Sequence, residues 1–190
     1  EAKGFLFKLH LAAGYAVIGL VVFRLAWGIV GTRHARFASF VQAWPAVRRH
    51  ALDVLGLKPA RFIGHNPLGG WMIVALLATI GLLAATGLFA GDEGKSGPYA
   101  ALAGPWLADT LGALHEGLNS ILWTLVAVHV GGVAVESLMT RENLVRAMWN
   151  GRKEAASPAE AEADAGPVGA MRLAVSLLVA VAAVGAIVLA

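Results

Sequence analysis

The sequence predicts an all-α integral membrane protein, a helical bundle with four visible transmembrane helices. Hydrophobic residues make up 58% of the 190 residues, and the mean hydropathy of +0.69 lies above the range of soluble domains. Four apolar segments are long enough to cross a bilayer as helices. The segments between them alternate in charge, as expected for a chain that crosses a membrane repeatedly.

The four predicted helices cover residues 5–30, 68–90, 111–138 and 168–190. The first three, with their connectors, are predicted to form one transmembrane domain over residues 1–153. The fourth is almost entirely small and branched aliphatic residues, which favours an accessory packing or anchoring helix. Residues 154–167 contain SPAEAEADAG, and their composition predicts a flexible acidic linker.

Charge in the connectors predicts the orientation of the chain. The first and third connectors are rich in arginine and lysine, whereas the second is acidic overall. By the positive-inside rule the first and third are cytoplasmic and the second is periplasmic, so we expect a multi-pass protein of the bacterial inner membrane. Ser39 to Leu57 in the first connector mixes aromatic, aliphatic and basic residues, and predicts an amphipathic helix in the headgroup layer.

The third apolar segment carries two histidines, His115 and His129, which are fourteen residues apart. In an α-helix this spacing leaves the side chains about 40° apart around the axis and roughly 21 Å apart along it. Imidazoles within a membrane helix are costly and usually functional. Two on one face, one near each end of the span, suggest two cofactors stacked across the membrane.

Two further histidines lie at matching depths. The orientation places His10 near the periplasmic side with His115, and His65, at the start of the second helix, near the cytoplasmic side with His129. Each pair offers the two axial imidazoles of a b-type haem. Gly14 follows His10 by one turn on the same face and lowers the helix wall where a haem would wedge.

The remaining polar residues of interest have weaker assignments. His34 and His50 lie in the basic connector, where we expect them to be solvated or interfacial and assign them no role. Arg24 lies within an apolar run near the cytoplasmic end of the first helix. It either snorkels to the headgroups or pairs with a haem propionate through its guanidinium fork, and the two roles are compatible.

Two other classes of function compete with haem binding. A membrane anchor without haem would tolerate loss of the histidines, and a metal transporter would need carboxylate or sulfur ligands at the same depth. The chain has no cysteine, and Glu116 is the only carboxylate near the predicted outer site. No activated nucleophile or paired carboxylates appear, which favours an electron-transfer subunit over a stand-alone catalyst. Nothing indicates binding to nucleic acid.

Several strings together resemble the bacterial cytochrome b561 family, which includes the cytochrome b subunit of nickel–iron hydrogenases. They are LHLAAGYAVIGLVVFRLAWGIVGTRHARFASF, GHNPLGGWM, the paired LHE and VHV, and RENLVRAMWNGRK. The resemblance implies a membrane bundle with two b haems that passes electrons between a quinone pool and a partner redox protein. That partner is expected to be a periplasmic hydrogenase-like subunit or a c-type cytochrome.

The resemblance also implies a set of ligands. His10, His115 and His129 match axial histidines of the family. The fourth ligand comes from a helix that precedes the first segment of this chain in the family, so we expect an N-terminal helix to be missing. His65 would then lie near the inner haem, at a propionate or a quinone pocket, whereas geometry alone offers it as the partner of His129. Two haems are expected, or one if the missing helix is essential.

Overall fold

The computed structural model describes residues 2–92, 95–151, 153 and 168–189. Eight α-helices lie within these residues: α1 Ala2–Val30, α2 Phe37–Phe40, α3 Trp44–Leu55, α4 Pro67–Phe89, α5 Ala100–Ala103, α6 Pro105–Thr140, α7 Leu144–Asn150 and α8 Ala170–Leu189. A short 3₁₀ turn covers Arg33–Ala35. Two short strands, β1 Gly91–Asp92 and β2 Lys95–Ser96, pair in antiparallel register with Gly91 opposite Ser96.

Four of these helices are long and apolar enough to cross a membrane, namely α1, α4, α6 and α8. This confirms the predicted all-α membrane bundle. The acidic linker predicted over residues 154–167 lies outside the described residues, and the division into a haem domain and an accessory helix stays a prediction.

Local sequence signals explain where α4 and α6 begin. Asn66 caps α4 by accepting a hydrogen bond of 2.6 Å from the backbone N–H of Gly69, and Pro67 occupies the first turn. Gly104 takes a positive φ of 72°, which a residue with a Cβ rarely adopts, and Pro105 then opens α6. The helix α6 therefore begins at Pro105, six residues before residue 111, where the sequence predicted its start. His65 lies in the loop before Asn66, so the prediction that it begins the helix is wrong.

The helix α6 is longer than a bilayer is thick. Its 36 residues span about 54 Å, against a hydrocarbon core of about 30 Å. Part of the helix therefore extends beyond the membrane. The chain leaves α6 through Arg141 in the left-handed conformation, and Asn143 caps α7 by accepting from the N–H of Arg146.

The long helices pack in two main pairs, α4 with α6 and α1 with α8, and α1 also contacts α4. Gly19 lets α8 approach α1, because a Cβ at that position would lie 3.2 Å from Cγ2 of Val184. Among the described residues α1 and α6 pack far less closely than these pairs do.

Contacts between connectors agree with the predicted orientation. Arg61 of the first connector pairs with Glu142 of the third, and Lys153 donates to the carbonyl of Phe62. Tyr99 of the second connector donates a hydrogen bond of 2.6 Å to the carbonyl of Ile187 near the end of α8. The first and third connectors thus meet at one end of the bundle, and the second connector lies at the other.

Candidate functional site

The outer pair of histidines is brought together by α1 and α6. The ring centroids of His10 and His115 are 6.1 Å apart, and their planes are nearly perpendicular at 88°. Metal–imidazole bonds are about 2 Å long, so two imidazoles on opposite sides of one iron place their centroids roughly 6 Å apart. The spacing of the two rings therefore fits an axial pair on one haem iron.

The helix α4 orients the imidazole of His115. Nδ1 of His115 lies 2.9 Å from the carbonyl oxygen of Leu83 and 3.3 Å from Oγ1 of Thr86. A backbone carbonyl only accepts hydrogen bonds, so Nδ1 carries the proton and the lone pair lies on Nε2. A hydrogen bond from the second ring nitrogen is the usual way in which a ligating histidine is held. His115 is thus prepared to bind a metal through Nε2.

Two glycines leave room around this pair. A Cβ at Gly87 of α4 would lie 2.9 Å from Cε1 of His115, so only glycine lets the ring take this position. Gly14, one turn after His10, has nothing within 4 Å of where its Cβ would be. The residues of the outer site therefore fit a haem on both geometry and space.

The inner region is arranged differently. His129 is half-buried on α6, and the glycines after it, Gly131 and Gly132, face open space. His65 is exposed in the loop before α4, and its ring packs against Phe40 with centroids 5.0 Å apart. The two histidines are within electrostatic range of each other. The structure thus places His65 in the neighbourhood of His129, with its ring packed on Phe40.

His65 is surrounded by positive charge. Although the residue is exposed to solvent, desolvation of its ring beside Phe40, followed by the charges of Arg24, His129 and His34, lowers the pKa of His65 below its ordinary value of 6.5. The imidazole is therefore neutral at pH 7, which is the form that binds metals or accepts a hydrogen bond.

Arg24 has an incomplete set of partners. Its guanidinium carbon lies 4.9 Å from the ring centroid of Phe37 and 5.7 Å from that of Phe40. Nη1 is buried, and within the described part of the chain it has no hydrogen-bond partner. Buried polar atoms are nearly always hydrogen-bonded, so this guanidinium nitrogen can take a partner such as a carboxylate. The residues of the inner region therefore fit a haem propionate.

An apolar groove of about 780 Å³ lies beside the inner region. Its walls come from α1, the α2 segment and α4, and include Val21, Leu25, Phe37, Val74 and Leu77. Its volume is within the range of pockets for small organic ligands. Phe37 belongs to both the groove wall and the Arg24 cluster, so the two features are adjacent.

Three features of these regions were not predicted from the sequence. Leu83 and Gly87 act through a carbonyl and a missing side chain, and no sequence pattern marks such roles. His50, expected to be solvated or interfacial, is only 3% exposed and lies 3.8 Å from a carboxylate oxygen of Glu136. A signal for this pair was present, because Glu136 lies two turns beyond His129 on the same face of α6.

The described residues contain no cluster of three or more histidine, aspartate or glutamate side chains able to hold a bare metal ion. The four spanning helices and the bis-imidazole pair define instead a membrane protein of the cytochrome b class. The chain belongs to the prokaryotic cytochrome b561 family, whose model matches residues 1–151. Its general function is accordingly electron transfer in a membrane through b-type haem.

Curated relatives carry a more specific name. The probable Ni/Fe-hydrogenase B-type cytochrome subunit of Rhizobium leguminosarum bv. viciae is 28% identical to this chain over 167 residues, which cover 79% of this chain and 69% of the relative. Those of Azotobacter chroococcum mcd 1 and Azotobacter vinelandii are each 29% identical over 166 residues, covering 78% of this chain and 68% of the relative. No solved structure matches the chain.

Proposed function

We propose that this chain carries electrons through two b haems between a membrane quinone pool and a hydrogenase-like partner on the periplasmic side. The observation that carries the proposal is the pairing of His10 with His115 at the spacing of an axial pair. The relatives named as hydrogenase cytochrome subunits support the class of partner. A c-type cytochrome is the second candidate partner.

In this proposal His10 and His115 hold the outer haem, and Gly14 gives it room. When bound, haem iron takes up and releases one electron at a time. The Leu83 carbonyl keeps His115 in one tautomer and one orientation, so the ligand does not rearrange during electron transfer. The apolar character of α1, α4 and α6 would help set the potential.

The inner haem is proposed to bind at His129. Its second imidazole is either His65 or a histidine from outside the residues described. Arg24 would donate a hydrogen bond from its orphaned Nη1 to a propionate. The apolar groove beside Phe37 would take the apolar tail of the quinone.

The first experiment counts haem per chain in the purified protein by the pyridine haemochrome assay. We expect two b haems per chain. One haem would reduce the proposal to the outer site, and none would leave a membrane anchor without a cofactor.

A second measurement identifies the partner of His129. If His65 is the ligand, His65→Ala removes one of the two haems, whereas His34→Ala, a control in the same connector, retains both. Retention of both haems by His65→Ala would contradict His65 ligation and assign the position to another histidine. Reduction of the bound haems by a short-chain quinol tests the quinone role, and its absence would contradict that role.

A further inference from the structure

A buried hydroxyl lies beside the outer histidine pair and has no role in the function proposed above. Thr86 belongs to α4 and is only 6% exposed. Its Oγ1 lies 3.3 Å from Nδ1 of His115 in α6. The same Nδ1 lies 2.9 Å from the carbonyl oxygen of Leu83. Two oxygen atoms of α4 therefore face the single N–H of this imidazole.

The helical register of α4 brings these groups to one place. Leu83, Thr86 and Gly87 stand at positions i, i+3 and i+4, which share one face of a helix. Leu83 provides a carbonyl and Thr86 a hydroxyl. Gly87 leaves room, since a Cβ there would lie 2.9 Å from Cε1 of His115. One face of α4 thus contacts the Nδ1–Cε1 edge of the ring, while Nε2 remains the nitrogen that can bind a metal.

The direction of the Thr86 hydroxyl follows from the lone pairs available to it. Oγ1 of Thr86 lies 2.8 Å from the carbonyl oxygen of Leu82 and 3.0 Å from that of Leu83. A carbonyl oxygen has two lone pairs, and within a helix one of them accepts the N–H four residues on. Leu83 therefore accepts from Gly87 and has one lone pair left, which His115 occupies. The hydroxyl donates to Leu82, the nearer of the two carbonyls.

With its proton directed at Leu82, Thr86 has oxygen lone pairs free to accept from His115. Its distance of 3.3 Å from Nδ1 is longer than the usual range of about 2.7–3.2 Å, whereas that of Leu83 lies within it. The N–H is thus shared unequally, with Leu83 as the main acceptor and Thr86 as the minor one. A threonine that bonds only to its own helix slightly destabilises that helix, so the bond to Leu82 alone does not account for a hydroxyl at this buried position.

Acceptors of the Nδ1 proton change the chemistry of Nε2 in the same ring. A hydrogen bond from one ring nitrogen raises the basicity of the other as a metal ligand. A more basic ligand favours the oxidised form of the iron, which carries more positive charge, and so lowers the reduction potential. Each acceptor of this N–H therefore contributes to the potential of the metal that His115 binds.

We propose that Thr86 is a positioning residue for His115. As the second acceptor of the Nδ1 proton, it holds the orientation of the ring and lowers the reduction potential of the outer haem. It acts through the imidazole of His115. This inference rests on the proposed ligation of that haem by His10 and His115.

The test is a potentiometric titration of the purified full chain with its haems. The outer haem is the redox component that His115→Ala removes. Thr86→Val keeps the shape of the side chain and removes the hydroxyl. We expect the reduction equilibrium of its outer haem to shift about threefold toward the reduced form, the low end of what one hydrogen bond contributes. A threefold shift is a rise in midpoint potential of about 28 mV, at about 59 mV per tenfold for one electron.

Two further variants separate the hydroxyl from the shape of the side chain. Thr86→Ser restores the hydroxyl and should restore the wild-type potential. Thr86→Ala removes the hydroxyl without the branched shape of valine, and should show the same rise as Thr86→Val. The potential of any second haem should stay within error in all three variants.

Thr124→Val is the matched control. The hydroxyl of Thr124 donates to the carbonyl of Ser120 in its own helix, as that of Thr86 does to Leu82. Thr124 is exposed, and its position nine residues after His115 places it on the opposite face of α6. The midpoint potential of the outer haem should be the same in this variant as in wild type.

The outcomes distinguish this inference from the proposed function. An outer potential equal to wild type in both Thr86→Val and Thr86→Ala would overturn the inference and leave the electron-transfer function intact. A rise that Thr86→Ser shares would assign the effect to side-chain packing and would also overturn it. If the wild-type chain holds no haem that depends on His115, the proposed outer site and this inference fail together.

Discussion

The two ends of the bundle place their histidines by different means. At the outer end His10 and His115 both lie within long helices, and a backbone carbonyl of a third helix fixes the ring of His115. At the inner end His129 lies on α6, but the nearby His65 lies on a loop and is held by packing against Phe40. Helix register therefore determines the outer site, whereas packing of the connector determines the inner one.

The two ends of the bundle also differ in their charged groups. Among the described residues of the outer end, His115 lies beside the Leu83 carbonyl and the Thr86 hydroxyl, and His10 is exposed. The inner end carries Arg24 with an orphaned nitrogen, the His50–Glu136 pair and the ion pairs of Glu142. The buried guanidinium of Arg24 suits the binding of an anionic group at the inner end.

The largest expected effect is loss of one haem at a time. His115→Ala removes a proposed ligand of the outer haem and leaves His129 in place, while His129→Ala removes the proposed ligand of the inner haem and leaves His115 in place. We expect each variant to fall from two haems to one by the pyridine haemochrome assay, with a different redox component missing in a potentiometric titration. Loss of both haems in either variant would show that the two sites are not independent.

The outer end of the bundle was easier to predict from the sequence than the inner end. The pairing of His10 with His115 was predictable, because helical rise and membrane orientation alone set the depth of both residues. The roles of Leu83 and Gly87 could not be predicted, because no sequence pattern marks a backbone carbonyl that orients a side chain or a glycine that makes room for one. The burial of His50 was missed because a basic amphipathic segment normally keeps its polar groups in the headgroup layer. Only the contact with α6 and Phe62 shows which of its faces is covered.

A smaller effect is expected when the outer ring is displaced. A Cβ at Gly87 would come within 2.9 Å of Cε1 of His115, so Gly87→Ala must shift the ring or the helix. Overpacking of this kind costs about 1–3 kcal/mol, which predicts weaker retention of the outer haem and an altered potential. Gly81→Ala on the same helix is the control, since its Cβ would meet nothing within 4 Å. Equal haem content and potentials in both variants would contradict the proposed orientation of His115.

A change of potential without loss of haem is expected at the inner end. Arg24→Gln removes a positive charge beside the proposed propionate, which favours the oxidised haem. For a charge at roughly 10 Å in a medium of intermediate dielectric, the inner midpoint potential should fall by on the order of 50 mV. The outer potential should stay within error, and Arg33→Gln, which changes an exposed arginine, is the matched control. A fall in the midpoint potential of the outer haem alone would show that Arg24 does not lie beside the inner haem.

The smallest expected effect concerns stability and its dependence on pH. Glu142 forms ion pairs with Arg61 and Lys153. The pair with Arg61 connects the first connector to the third at the inner end of the bundle. Its pKa is below the ordinary value of 4.5, so its ionised form stabilises the fold. That contribution is fully present above pH 4.5 and is lost as pH falls through the lower folded-state value.

Replacing this carboxylate tests the ion pairs directly. Glu142→Gln should destabilise the protein at pH 7 by about 1 kcal/mol, or a few degrees in Tm for a chain of this size. The difference from wild type should shrink as the pH is lowered below 4.5, because wild-type Glu142 then becomes protonated. Thermal melting followed by haem absorbance at pH 7 and at lower pH measures both quantities. A difference in Tm between wild type and Glu142→Gln that does not change with pH would attribute the effect to packing. The charged character of the inner end would then rest on Arg24 and on the His50–Glu136 pair.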